Sequence, residues 1–83
     1  MRVTVRLFAR LRDLAGASEL VKELGHGATV QHLWSDLTAQ FPAFAPYERV
    51  VSSAVNADYA RMQDVLHEGD EVAFLPPVSG GSA

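Results

Sequence analysis

The sequence predicts an α+β fold: a mixed sheet of four to five strands with one main helix packed on one face. Three observations point there. Short segments near both ends alternate apolar and polar residues, as half-buried strands do. One central segment carries an apolar stripe at helical spacing. The chain has 83 residues, room for a single core, and one helical stripe laid on one sheet face is the two-layer solution at that size. A domain this small buries roughly 60% of the surface its unfolded chain exposes. That is too little for a deep enclosed active site with a cofactor cavity.

Residues 2–8 open the first strand, with Val3, Val5 and Leu7 alternating against Arg2, Thr4 and Arg6. Phe8 falls on the polar parity. Residues 10–15 suit a short helix stopped by Gly16, and residues 18–24 suit a second strand. The span from Asp13 to Ser18 is too long for a two-residue turn, so the connection between these strands is wide. After the loop Gly25-His26-Gly27, Thr29 reads as an N-cap. Val30, Leu33, Trp34, Leu37 and Phe41 follow on one helical stripe, and Pro42 stops the helix. Residues 43–49 read as a loop or single turn, and 50–56 as a strand ending at the turn Asn56-Ala57-Asp58. Residues 59–67 are ambiguous. Glu68-Gly69-Asp70 is a turn, and Glu71–Leu75 is the last strand, with Val72 and Phe74 inward. Residues 1–8 and 71–75 are candidates for neighbouring central strands. Pro76-Pro77 ends pairing for want of N–H groups, so residues 1–75 are expected to form the domain and 76–83 a flexible tail.

Composition excludes several classes of function. With 48% hydrophobic and 20% charged residues, the chain has the balance of a soluble globular domain. The absence of cysteine excludes disulfides, thiolate metal sites and a cysteine nucleophile, and favours a cytoplasmic setting. A net charge of −3 argues against nucleic acid as the partner. No apolar run approaches the ~20 residues of a membrane span. Charge is uneven: Arg2, Arg6, Arg10 and Arg12 stand without an acid in the first twelve residues, whereas five acids lie between residues 58 and 71. The acidic half reads either as a solvated face or as a surface for a basic protein partner. His26, His32 and His67 lack metal-ligand spacing with one another, so no metal is expected. Ser52-Ser53 have no histidine nearby, Asp70 and Glu71 point to opposite faces, and no phosphate-binding glycine motif is present.

The C-terminus stands out. Pro76-Pro77 makes a stiff start, and Val78-Ser79-Gly80-Gly81 then runs out into Ser82-Ala83. From Leu75 to Gly81 an extended chain reaches about 20 Å at ~3.3–3.6 Å per residue. A glycine pair can thread a narrow channel, and a glycine carboxylate is sterically open to activation; the plain alternative is a chain end without a role. Phe8 and Leu75 sit on the outer parity of the strands nearest this tail, and Tyr59 follows the third strand. Grouped beside the tail, these three would make a partner-docking patch.

Phe8-Ala-Arg-Leu-Arg-Asp-Leu-Ala-Gly16 after an N-terminal strand resembles the opening of the molybdopterin synthase small subunit family. Ala54-Val-Asn56 and the run from Leu66 through Gly-Asp-Glu-Val-Ala-Phe-Leu-Pro-Pro-Val-Ser-Gly-Gly81 are similar to that family's closing signature. The resemblance covers nearly the whole chain. Related thiamin sulfur carriers are shorter, usually lack the Pro-Pro and open differently. The resemblance implies a ubiquitin-like β-grasp and a role in sulfur transfer. Gly81 would be adenylated by an ATP-dependent activating enzyme of the ubiquitin-activating type, converted to a thiocarboxylate (1-thioglycine), and inserted into the large synthase subunit. There it would donate sulfur to cyclic pyranopterin monophosphate in molybdenum cofactor biosynthesis. Phe8, Tyr59 and Leu75 fall at the family's hydrophobic contact positions, and Gly80-Gly81 at its tail. No bound cofactor and no active site of the chain's own are implied, since the catalytic groups would belong to the large subunit.

The sequence departs from the family at its end, where Ser82-Ala83 follow the double glycine. Three readings stand: a precursor trimmed by a peptidase, a cloning remnant or fusion boundary, or a relative without sulfur transfer. Two other functions also remain open. One is a ubiquitin-like protein modifier. The other is a sulfur carrier for a different pathway, such as thiamin, cysteine or a secondary metabolite.

Overall fold

Strand β1 (Arg2–Leu7) carries the predicted alternation, with Val3, Val5 and Leu7 buried. The computed structural model describes residues 1–77; the expectations for Val78, Ser79, Gly80, Gly81, Ser82 and Ala83 lie outside the described residues. Helix α1 (Ala9–Ala15) follows and ends where Gly16 turns left-handed at φ 74°, returning its N–H to Arg12 O at 2.9 Å. This helix fills the wide connection expected before β2 (Glu19–Glu23), which pairs antiparallel with β1.

Helix α2 (Val30–Gln40) begins at Thr29, as its sequence requires. The Thr29 hydroxyl accepts from His32 N at 3.3 Å, and Thr29 N donates to His32 Nδ1 at 3.0 Å. Histidine thus serves where a capping box usually has Glu or Gln. Two further orphan donors of the first turn are met from outside the helix. Val30 N donates to Asp64 O at 3.0 Å and Gln31 N to Met62 O at 2.8 Å. The ambiguous segment after residue 60 is therefore a strap across the start of α2, and it inserts the buried Leu66 into the core.

After α2, where residues 43–49 read as a loop or single turn, Pro42–Tyr47 form a six-residue 3₁₀ helix. Strand β3 (Ser52–Val55) starts two residues later than its sequence suggests. The reason is local: Val50 N and Val51 N both donate to Tyr47 O, closing the preceding turn instead of joining the ladder. Asn56 and Ala57, both at positive φ, turn the chain into β4 (Asp58–Ala60), so Tyr59 lies within a strand rather than after one. Strand β5 (Glu71–Leu75) has the predicted bounds.

The five strands form one mixed sheet in the order β2-β1-β5-β3-β4, with β1 and β5 parallel and the other pairs antiparallel. With α2 on one face this is the ubiquitin-like β-grasp. The core lies between that helix and the inward residues Val3, Val5, Leu7, Val72 and Phe74. Trp34 is its centre, fully buried, with its ring 5.1 Å from Phe74 and 5.4 Å from Phe44. Its indole N–H has no hydrogen-bond partner, so Trp34 is there for its apolar volume.

Candidate functional site

Each strand that buries alternate residues against α2 turns the others to the opposite face. Register aligns Arg6, Ala73, Ala54 and Tyr59 in one row across β1, β5, β3 and β4. Leu75 stands on the same face two residues beyond Ala73, opposite Ser52. Phe8, one residue past the Leu7–Phe74 pair, lies level with Leu75. The chain reverses immediately after Phe8, with Ala9 at φ 51°. That left-handed step, costly for a residue with a Cβ, lets Phe8 stay outside while Leu11 of α1 enters the core.

The three outward hydrophobes differ in kind. Tyr59 is 91% exposed, whereas Phe8 and Leu75 are 37% and 38% exposed. Tyr59 and Leu75 share a groove of about 400 Å³, floored by Ser52 and Ala54 and continued by Ala57, Pro76 and Pro77. Small side chains at 52 and 54 leave the floor low, and the tyrosine and the proline pair make its walls. Phe8 does not line this groove. It carries the guanidinium of Arg6 5.9 Å above its ring, and Arg6 is in turn held by Glu71 at 3.2 Å. The patch is thus a groove and a neighbouring aromatic with a cation on it. Strand β5 ends at this groove, so the chain leaves the sheet beside it.

Sequence reasoning missed the groove floor. Ser52 and Ala54 share the outward parity of Leu75, a readable period of two, but only the register sets Ser52 opposite Leu75 and Ala54 opposite Tyr59. Pro76 and Pro77, read as tail, line the groove as well.

A larger concavity of about 470 Å³ lies around Asn56, Asp64, His67 and Asp70. The amide of Asn56 and the carboxylate of Asp70 there are spent on the fold. Asn56 Nδ2 donates to Asp70 Oδ1 at 2.9 Å, Asn56 Oδ1 accepts from Glu71 N at 3.0 Å, and Asp70 Oδ2 accepts from His67 N at 2.8 Å. Ser53 likewise gives its hydroxyl proton to Ala60 O at 3.2 Å, a strand contact rather than a nucleophile's. Among the described residues, no group of three or more His, Cys, Asp or Glu is arranged to hold a metal ion, and no helix is long and apolar enough to cross a membrane. At the far edge of the outer face, Arg2 Nε pairs with Glu23 Oε2 at 2.7 Å. That hydrogen bond, more than the charge attraction, holds the Glu23 carboxyl below the usual range and raises the Arg2 guanidinium.

Residues 5–81 match the ThiS family, and the match ends on the second glycine of the pair. The chain is 41% identical to a molybdopterin synthase sulfur carrier subunit from Chlamydomonas reinhardtii, covering 98% of this chain and 100% of that one. It is 36% identical to the subunit of the same name from Escherichia coli, over 95% and 99% of the two chains. Among solved structures it resembles small archaeal modifier protein 1 from Methanosarcina acetivorans, with a TM-score of 0.80, 31% identity and 96% of each chain covered.

Proposed function

The chain belongs to the ThiS family, and on that premise we propose that it is the sulfur-carrier subunit of a molybdopterin synthase, carrying sulfur on the carbonyl carbon of Gly81. The observation that carries this reading is where the family match stops: at Gly81, six residues beyond a strand that ends in an exposed apolar groove.

The chemistry follows from the poor electrophilicity of a carboxylate. An ATP-dependent activating enzyme joins the Gly81 carboxylate to AMP, with pyrophosphate leaving. A sulfur nucleophile then attacks the acyl carbon, the bond to AMP breaks, and a thiocarboxylate (1-thioglycine) remains. A glycine at this carbon puts no side chain in the path of attack or of the tail's passage into another protein. The groove with Tyr59 and Leu75, and Phe8 beside it, docks first the activating enzyme and then the large synthase subunit. Val78, Ser79 and Gly80 separate that docking face from Gly81 in the sequence, and in the large subunit's active site sulfur passes from Gly81 to cyclic pyranopterin monophosphate. This chain supplies the sulfur and the docking face; the catalytic groups and the pterin site belong to the partner.

Adenylation requires a free carboxylate at Gly81, so any form that carries Ser82-Ala83 is inert until a peptidase releases them. The test uses the chain ending at Gly81, purified activating enzyme, ATP and a sulfur donor. The expected product gains the mass of one sulfur in place of one oxygen, and the 83-residue chain gains nothing. Thiocarboxylation of the full chain at Ala83 would overturn the assignment to Gly81. Failure of the thiocarboxylated chain to convert the pterin precursor with a large subunit present would overturn the synthase reading.

The likeness to a small archaeal modifier protein supports a second reading, in which activated Gly81 forms an isopeptide bond with a lysine of another protein. Covalent adducts recovered from cells with Gly81 on a lysine would favour it.

A further inference from the structure

A chain that carries an activated acyl group must not spend it on its own nucleophiles. This sequence has no cysteine, and of its seven basic residues six are arginine, whose guanidinium stays protonated and does not acylate. One lysine remains, Lys22. It lies on β2 at the inward parity, opposite Val3, at the edge where the sheet meets α2. Its Nζ is 2.9 Å from Asp36 Oδ2 and donates to Gln40 Oε1 at 2.8 Å, and its side chain is 19% exposed. Asp36 and Gln40 are four residues apart on α2 and so share one helix face. Two acceptors on that face share one ammonium.

We infer that Asp36 and Gln40 withhold Lys22 from acylation, so that the one side-chain amine of this chain does not accept an acyl group from its own kind. The purpose assigned to this restraint rests on the sulfur-carrier reading; the restraint itself does not. In the reaction excluded, a deprotonated Lys22 Nζ would attack the acyl carbon of an adenylated second copy. An amide bond would form, the bond to AMP would break with its electron pair leaving on the phosphate, and the surplus amine proton would go to water. For that, Nζ must shed its proton, turn a lone pair outward and leave both acceptors, while an acyl group and its leaving group crowd against the strand edge.

The test is the rate at which N-hydroxysuccinimidyl acetate modifies Lys22 in the full chain, followed by peptide mapping at one pH. The reference is a synthetic peptide of residues 18–24. The folded chain is expected to react about tenfold more slowly than the peptide, the scale of an ion pair and a hydrogen bond that must open first. Asp36→Asn with Gln40→Ala should recover most of that difference while circular dichroism shows the fold unchanged; neither residue belongs to the buried core. Lys22 reacting at the peptide's rate in the folded chain would overturn the inference. So would a double variant, folded, that reacts no faster than the parent. No activating enzyme enters this measurement, so a failure of Gly81 to be adenylated would strike the sulfur-carrier reading and leave the Lys22 result to stand or fall separately.

Discussion

The two faces of the sheet are made from the same strands and do opposite things. On the inner face, Val3, Val5, Leu7, Val72 and Phe74 are buried under α2. On the outer face stand Phe8 and Leu75, each one residue from a buried neighbour, and Tyr59 of β4, partly or wholly in solvent. A hydrophobic residue inside contributes to folding in proportion to the area it removes from water. The same residue type outside contributes little until a partner covers it. Stability is therefore assigned to the inward positions and, on the proposed function, docking to the alternate ones, and substitutions should separate them cleanly.

The largest expected effect tests the inner face. Trp34→Ala should cost about 3–5 kcal/mol, as large core truncations do, a large share of what so small a domain has. Chemical denaturation measures it. Trp34→Phe should cost less, because it removes a buried N–H that has no partner. A Trp34→Ala protein with near-parental stability would mean that α2 does not hold the sheet.

The next effect belongs to the outer face. Leu75→Asp or Phe8→Asp should weaken the complex with the large subunit by about 2 kcal/mol, the threshold of an interface hot spot, with thermal stability nearly unchanged. Titration calorimetry beside a melting curve reads both. Parental binding by both variants would remove the groove and its neighbour from the interface.

A smaller change tests the helix end alone. Thr29→Ala removes the hydroxyl that accepts from His32 N and should cost about 1 kcal/mol, without altering binding at the outer face. The strap carbonyls of Asp64 and Met62 would still serve Val30 and Gln31, which keeps the loss at the level of one cap.

The smallest effect comes from the exposed pair of Arg2 and Glu23. Arg2 holds the Glu23 carboxyl below its ordinary range in the folded chain. A carboxyl so lowered adds stability above its unfolded value of about 4.3, and that stability is lost as pH falls through the lower folded value. Glu23→Gln should therefore flatten the acid side of the stability profile slightly, and salt should do the same to the parent. An unchanged acid limb would show that solvent screening erases the pair.

Periodicity carried β1, α2 and β5, because each repeats an apolar position against one continuous neighbour. Gly16 and Thr29 marked helix ends for local reasons: a left-handed backbone in one case, a hydroxyl near an orphan N–H in the other. Phe44 and Leu66 left no such mark. Phe44 enters the core from the short 3₁₀ helix and Leu66 from irregular backbone, so their burial depends on contacts with residues far away in the chain. Phe44 stacks on both Trp34 and Phe41, and Leu66 N binds Ala28 O. In the candidate site, Phe8 and Leu75 were legible because parity alone sets them outward. The groove between Leu75 and Tyr59 was not, because it needs β3 to lie between β5 and β4.

The sequence by itself determined which residues alternate, where α2 begins and stops, and that a double glycine ends six residues beyond the last strand. Those are local matters of side-chain period, capping chemistry and composition. Only the tertiary structure decided that β1 and β5 run parallel at the sheet's centre, that residues 61–66 strap the start of α2, and that Lys22 meets Asp36 and Gln40. Each of these pairs segments distant in sequence, and such pairing is selected by the joint packing of one small core.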